Sequence, residues 1–348
     1  MNQQNTTDKL LAIINKLVII IVILVAGIVA MLYLFSKSSK DDIIASNQKD
    51  TKQIVTTDTN HYWQPKDLNL ITDKALKEKV EYGRELLAHT ATYLGPNGTV
   101  SKSTNGLNCQ NCHLNAGTVI FGNNYGSVNS LYPKFRARSG TIENLYKRVN
   151  DCIQRSLNGT AIDSNSKEMQ SITAYINYIG SDVEKGKKAV GSGFKDLGYL
   201  DRAANIKNGM AVYEAKCQSC HQPDGKGMLN ATKNEFIYPA LWGDHSFNDG
   251  AGLYRISNFA KYVKYNMPQG TTFKNPVLSD EEAWDVAAFV NSQPRPHKNV
   301  PNDWPDISKK PVDHPFGPYS DIFSEQQHKY GPFKPIADAQ KKKETAKK

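Results

Sequence analysis

The chain has 348 residues, 43 lysines and arginines against 34 aspartates and glutamates, and a formal net charge of +9 with a pI near 9.1. That length allows two small domains without forcing three, and a 39% hydrophobic content excludes disorder throughout. The basic residues are spread along the chain and thicken mainly at residues 341–348, a solvated end, so they describe no nucleic-acid-binding face and suit anionic small substrates or acidic redox partners instead.

In chain order, residues 1–16 read as a short cytoplasmic N-terminus. Residues 17–35, LVIIIVILVAGIVAMLYLF, form an unbroken uncharged run long enough to cross a bilayer as a transmembrane helix. The run is either a membrane anchor or a signal peptide. Its length exceeds the roughly 7 to 15 residues of a secretory apolar region, and Ile28-Val-Ala30 is a poor cleavage site, which favours the anchor. Lys9 and Lys16 before it and Lys37 and Lys40 after it leave orientation open. Residues 36–67 are polar and read as a tether, with folded structure expected from about Leu68.

Residues 73–94 carry Leu76, Val80, Leu86 and Leu87 at helical spacing, and Gly95-Pro96-Asn97-Gly98 stops them. Cys109-Gln-Asn-Cys112-His113 follows in a loop and recurs as Cys217-Gln-Ser-Cys220-His221. Two thiols three positions apart can form thioethers to both vinyl groups of one porphyrin, and the adjoining histidine reaches the iron. Each copy is therefore a c-type haem attachment motif, and two covalently bound haems c are expected. A zinc ribbon would place its cysteine pairs about 15 to 20 residues apart, and a thioredoxin-like site needs one pair without the histidine. Such haems are ordinarily attached outside the bacterial cytoplasm, so the main body is expected in the periplasm, anchored to the inner membrane by the N-terminal helix.

Residues 142–157 make the next predicted helix, with Ile142, Leu145, Tyr146, Val149, Ile153 and Leu157 on one face and Asn158-Gly159 as its end. Met169, Ile172, Tyr175, Ile176 and Ile179 make another, stopped at Gly180. Residues 183–205 read as a linker. Ile206, Met210 and Tyr213 begin a helix that runs into the second motif, and Ser279-Asp-Glu-Glu282 is a capping box opening one with Trp284, Ala287, Ala288 and Val290. The expected fold is all-α: two tandem cytochrome c domains over residues 68–182 and 206–293. More than half of the 16 prolines lie from Pro294 onward, so residues 294–348 are predicted to be an extended tail laid over a surface.

The fifth cysteine separates an electron carrier from an enzyme. Cys152 lies on or beside the apolar face of its predicted helix, and Arg148 and Ser156, four residues to either side, share its flank. A free cysteine is usually a small buried hydrophobe. An extracytoplasmic protein seldom leaves one thiol unpaired, however, and Arg136, Arg138, Arg148 and Arg155 would lower a thiol pKa and attract anions. Those arginines could instead hold haem propionates. The first domain offers only Met169, in an apolar stripe, whereas Asn266-Met267-Pro268 is a setting in which methionine takes the sixth position of a haem iron. The expected axial pairs are His113/Cys152 at haem 1 and His221/Met267 at haem 2, with Met228 and Lys264 in reserve.

The segment NLYKRVNDCIQRSLNG at residues 144–159, together with both haem motifs, Tyr238-Pro-Ala-Leu-Trp-Gly243 and Asn266-Met-Pro268, resembles the dihaem thiosulfate dehydrogenases of the TsdA type across residues 68–293. The resemblance implies that two thiosulfates are joined into tetrathionate with release of two electrons, or the reverse, with a periplasmic cytochrome c or other redox partner. It implies that Cys152 ligates haem 1, that Arg138, Arg148 and Ser156 line the substrate site, and that Met267 ligates haem 2 with Lys264 as an alternate ligand. Ala240 stands where a second proline is common, which bears on packing near haem 2, and the N-terminal anchor is unusual.

The chemistry agrees with those residues. Guanidinium groups screen the repulsion between two dianions, and a cysteine that leaves the iron can hold one thiosulfate covalently until the second arrives. A dihaem electron carrier would need neither Cys152 nor its arginines, a dihaem peroxidase would respond to hydrogen peroxide, and a haem subunit of a sulfur-oxidation complex would be inactive alone. The intact mass of the purified protein should exceed that of the polypeptide by two haems, and the visible spectrum should change in Cys152→Ala. A single haem, or an unchanged spectrum, contradicts the assignment.

Overall fold

The computed structural model describes residues 62–232 and 234–346, together with residues 16, 17, 19, 21, 24–28 and 31. Met1–Asn60 and His61–Lys348 form separate compact units. In the first unit the described residues are helical, and no helix among the described residues is long and apolar enough to cross a membrane. Much of the 17–35 run, the N-terminal residues 1–15 and the tether up to residue 61 lie outside the described residues.

The second unit is mainly helical. Asp73 caps α1 (Lys74–Ala88) by accepting a hydrogen bond from the Leu76 amide, and His89 ends it. The single helix predicted over residues 73–94 is thus broken, and Thr90–Leu94 is a separate turn. Folded structure also starts earlier than Leu68, because Trp63 is buried against Gly126, which leaves no room for a side chain there.

A two-stranded antiparallel ribbon, β1 (Lys134–Arg136) with β2 (Thr141–Glu143), pairs Phe135 with Ile142. The next predicted helix therefore begins later: α2 (Leu145–Arg155) starts after Asn144, whose side chain accepts from the Lys147 amide. Ile142, expected on its apolar face, is a strand residue and 74% exposed. Then α3 (Lys167–Ile179) runs from Ser166 to Gly180 as its periodicity predicts. Residues 183–205 are no free linker. Val190 accepts from the Trp63 amide, Gly191 from the Phe121 amide, and Ala189 and Ser192 are buried.

The second half repeats the plan with α4 (Ile206–Lys216), a small ribbon of β3 (Met228–Leu229) and β4 (Phe236–Tyr238), α5 (Ile256–Asn266) and α6 (Asp280–Ser292). The Ser279/Glu282 capping box forms as expected. The all-α expectation is corrected only by the two ribbons. Short stretches that include β-branched and aromatic residues pair locally there.

One device recurs in both halves. A Cβ added at Gly83 of α1 would lie 2.0 Å from the Ser171 carbonyl of α3, and one at Gly209 of α4 would lie 1.9 Å from the Asp285 carbonyl of α6. Each crossing therefore brings two helix backbones into contact, which only glycine permits.

The Pro-rich tail is not extended throughout. It carries α7 (Glu325–Tyr330) and α8 (Lys334–Ala346), and Pro335 sits in the first turn of α8, where its missing N–H has no helical partner to lose. Tyr330, Phe333 and Ile336 enter the second-half core, with the Phe333 ring 5.5 Å from that of Trp284. Apolar burial thus overrides the proline count, which alone suggested extension.

Overpacking a tight helix crossing costs about 1–3 kcal/mol. Gly209→Ala should accordingly lower unfolding stability by at least that amount, measured by guanidinium titration of the haem-loaded protein. Gly198→Ala, where nothing lies within 4 Å of the added carbon, should change it by less than about 0.5 kcal/mol. Equal effects at the two positions would contradict the close crossing.

Candidate active site at the first haem motif

Both attachment histidines are fixed in the same way. His113 Nδ1 lies 2.5 Å from the Asn123 carbonyl and His221 Nδ1 lies 2.8 Å from the Pro239 carbonyl. A carbonyl requires the proton on Nδ1, which leaves each Nε2 lone pair for a metal. His113 Nε2 has one contact, at 3.5 Å from the Asn123 amide nitrogen, too long to hold it. Burial pushes His113 down to about 4 and also lowers His221, so both rings are neutral and able to ligate at neutral pH.

The residues around them fit a haem. A cavity of about 310 Å³ beside Cys109, Cys112 and His113 is walled by Leu87, Tyr125, Leu145, Val149, Leu157 and Ile176. Burial raises the Cys109 thiol to about 11 and the Cys112 thiol to about 12, an apolar setting in which a neutral thioether carries no desolvation cost. In the second half, Cys217, Trp242, Phe289 and Met267 pack against one core. Donor set, histidine tautomer and apolar walls define a dihaem c-type cytochrome, with covalent haem c at each motif.

A second cavity, of about 440 Å³, shares Cys112, His113, Arg148 and Cys152 among others with the first and adds Arg138, Asp151, Arg155, Ser156 and Arg255 to its lining. Arg138, Arg148, Cys152 and Ser156 all line it, so the structure brings together the four residues singled out as catalytic. Cys152 and Arg148 lie one turn apart on α2, as the spacing predicts, and Ser156 caps that helix with its amide donating to the Cys152 carbonyl at 2.8 Å. Arg138 comes from the turn between β1 and β2, where the Gly140 amide donates to the Arg136 carbonyl.

The arginines differ in their partners. Arg155 makes a two-pronged bond to Asp303, 2.8 and 2.9 Å, and Arg255 is paired with Asp313. Arg136 is 3.9 Å from Glu143. The Arg148 side chain has no hydrogen bond or ion pair among the described residues. The Cys152 sulfur, foremost among its neighbours, holds its guanidinium above the ordinary arginine range against the opposing effect of burial. Burial first, and then Arg155, bring Arg138 down to about 10, which leaves it charged at neutral pH.

At the second motif, Met267 caps the C-terminal end of α5 and packs on the core beside Trp242. Lys264, expected as an alternate ligand, is committed elsewhere: its Nζ donates to the Leu278 carbonyl at 2.6 Å and meets Asp280 at 2.7 Å. Met228 is an exposed residue of β3. Ala240 is buried with Leu107, Ile153, Leu157 and Phe236 in a cluster joining the halves, so its smaller side chain is absorbed in packing.

Several residues had no signal in the sequence. Asn123 and Pro239 act through backbone carbonyls. Tyr262 of α5 donates to the Asn111 carbonyl at 2.7 Å, tying the helix that ends at Met267 to the first haem motif. Asp303 and Trp304 lie in the segment read as an extended tail laid over a surface.

Comparison with known proteins gives the family. Residues 99–184 match the SoxA/TsdA cytochrome c domain family, and residues 206–294 match the cytochrome c family. Thiosulfate dehydrogenase of Psychrobacter arcticus is 36% identical over 242 residues, covering 69% of this chain and 70% of that protein. That of Allochromatium vinosum is 37% identical over 231 residues, covering 65% and 82%. A solved thiosulfate dehydrogenase (TsdBA) from Marichromatium purpuratum, in its "as isolated" form, superposes with a TM-score of 0.62 at 26% identity over 68% of this chain. This chain spans 50% of that one. The chain belongs to the thiosulfate dehydrogenase family.

The binding of Lys264 by Asp280 makes a separable expectation. Lys264→Ala should leave the haem 2 spectrum and potential near those of the parent, whereas Met267→Gly should lower or split that potential. A shift of the same size in Lys264→Ala would place the lysine at the iron.

Proposed function

We propose that the protein interconverts thiosulfate and tetrathionate at the first haem, with Cys152 as both iron ligand and sulfur nucleophile. One observation carries this reading: Cys152 shares a cavity with Arg138, Arg148 and Ser156, and the Arg148 guanidinium, one turn away, makes no hydrogen bond or ion pair among the described residues. The names of the relatives support the substrate.

The reaction follows from ordinary sulfur chemistry. The Cys152 thiolate attacks the central bond of tetrathionate, forms a disulfide bond to one sulfane sulfur, and releases the other half as thiosulfate. Two electrons then break the new bond, which returns the thiolate and a second thiosulfate. Run backward, the same steps oxidise two thiosulfates. Bound haems would supply or remove those electrons one at a time.

The arginines act on charge. Arg148, one turn from Cys152, can hold sulfonate oxygens as a fork while the thiolate meets the sulfane sulfur. Arg138 offsets the second anion across the cavity, and the Ser156 hydroxyl offers a donor at the helix end. Met267 at the second haem marks the electron exit or entry, with a periplasmic cytochrome c or another carrier as partner.

The two attachment motifs support a periplasmic location. The uncharged run at residues 17–35 supports anchoring to the inner membrane.

Steady-state rates in both directions, with thiosulfate and an electron acceptor or tetrathionate and a donor, test the proposal. Cys152→Ser should remain a folded dihaem protein with little or no turnover. Arg148→Lys keeps the charge but loses the fork, so turnover should fall by a factor of about ten to a hundred, from the roughly 1.5–3 kcal/mol of hydrogen bonds to charged groups. A shifted haem 1 potential with normal thiosulfate kinetics would instead assign Arg148 to a propionate.

A further inference from the structure

The segment following α6 crosses one wall of the anion cavity, and both family matches stop by residue 294. Three of its residues, Trp304, Lys309 and Pro311, line that cavity. It is attached at several points. The Gly243 amide donates to the Pro294 carbonyl and the Asp249 amide to the Pro296 carbonyl. The Trp304 amide donates to the Arg138 carbonyl at 2.6 Å, and its indole lies 5.9 Å from the Arg138 guanidinium. Pro305 packs on Gly140, where an added Cβ would be 2.6 Å from the proline ring.

Trp304 itself adopts a left-handed backbone conformation, φ 60°. A large residue takes that conformation only where its surroundings over-determine it.

The charges on this strap select among the arginines. Asp303 binds the Arg155 fork with both oxygens, and Oδ2 also lies 3.8 Å from Arg138 Nε. All three side chains are largely buried, at 13% exposure for Arg155, 15% for Asp303 and 18% for Arg138. Asp313, further along, accepts from Arg255 and from Ser257. Two of the cavity's arginines are therefore hydrogen-bonded to strap carboxylates, while Arg138 has a 3.4 Å bond to the Gly250 carbonyl beside its longer ion pair with Asp303.

We propose that Asp303 is a positioning residue for substrate binding: placed between Arg138 and Arg155, it holds Arg138 facing the cavity and neutralises Arg155 in the cavity wall. The physical basis is simple. Two guanidinium groups at this separation repel each other in a partly dehydrated pocket, and the carboxylate between them is the charge that lets both stay in place. Without it, Arg138 loses its nearest counter-charge and relaxes away from the orientation that meets the anion.

This inference rests on the thiosulfate reading of the site, so its test reads binding as well as turnover. Thiosulfate would be titrated into the haem-loaded protein by calorimetry, with KM and kcat measured on the same samples. Asp303→Asn should raise both Kd and KM for thiosulfate about tenfold, the loss of one well-placed charged contact, while kcat stays within about threefold. Asp303→Glu, which restores the charge, should recover part of the loss. Trp304→Ala, which removes the packing beside Arg138, should shift Kd in the same direction and serves if the Asp303 variants fold poorly.

Ile336→Ala loosens the tail core away from the cavity and should lower stability without moving Kd. An unchanged or tighter Kd in Asp303→Asn would overturn the proposal, since simple removal of a negative charge strengthens anion binding. Thiosulfate binding without turnover in the parent protein would sink the enzymatic reading alone. No binding in the parent would sink both.

Discussion

Positive charge gathered around one cysteine is the constraint on which the rest depends. Arg136, Arg138, Arg148, Arg155 and Arg255 all face one cavity, and such a cluster is unstable unless part of it is neutralised. The protein meets this with carboxylates brought from far along the chain. Asp303 takes Arg155 and Asp313 takes Arg255, while Arg148 is left to Cys152 and whatever anion enters. The docking of Tyr330, Phe333 and Ile336 on the second-half core stabilises the same C-terminal segment.

The two halves share a framework and differ in what surrounds it. Both histidines are oriented by a backbone carbonyl, and both helix pairs cross at a glycine. The first half adds a cysteine and a cationic cleft, whereas the second ends its α5 helix at Met267. Tyr262 and the cluster of Leu107, Ile153, Leu157, Phe236 and Ala240 join them across the chain midpoint. The two haem motifs are thus held within one compact unit.

How much of this could be read beforehand follows from the range of each signal. The attachment motifs and the pairing of Arg148 with Cys152 are local, set by spacing within a few residues, and were legible. Helix α3 was legible too, because its periodicity and its stop at Gly180 agree. The ribbon that carries Arg138 was not, since Ile142 continues the apolar stripe of the next helix and only strand pairing with Phe135 removes it. Asp303 and Trp304 were illegible for a different reason. Their role depends on partners more than a hundred residues away, and a proline-rich composition says nothing about what a segment lies against. Lys264 shows the converse case, a possible ligand by position whose buried ammonium contacts Leu278 and Asp280, partners that its spacing does not reveal.

The central claim is that Cys152 forms a sulfur–sulfur bond to half of tetrathionate. Peptide mass spectrometry after brief exposure of the oxidised, haem-loaded protein to tetrathionate tests it most directly, because that first exchange needs no electrons. The account predicts that the peptide containing Cys152 gains one thiosulfate and loses it again when electrons are supplied. Tetrathionate turnover with the Cys152 peptide unmodified at every stage would contradict it.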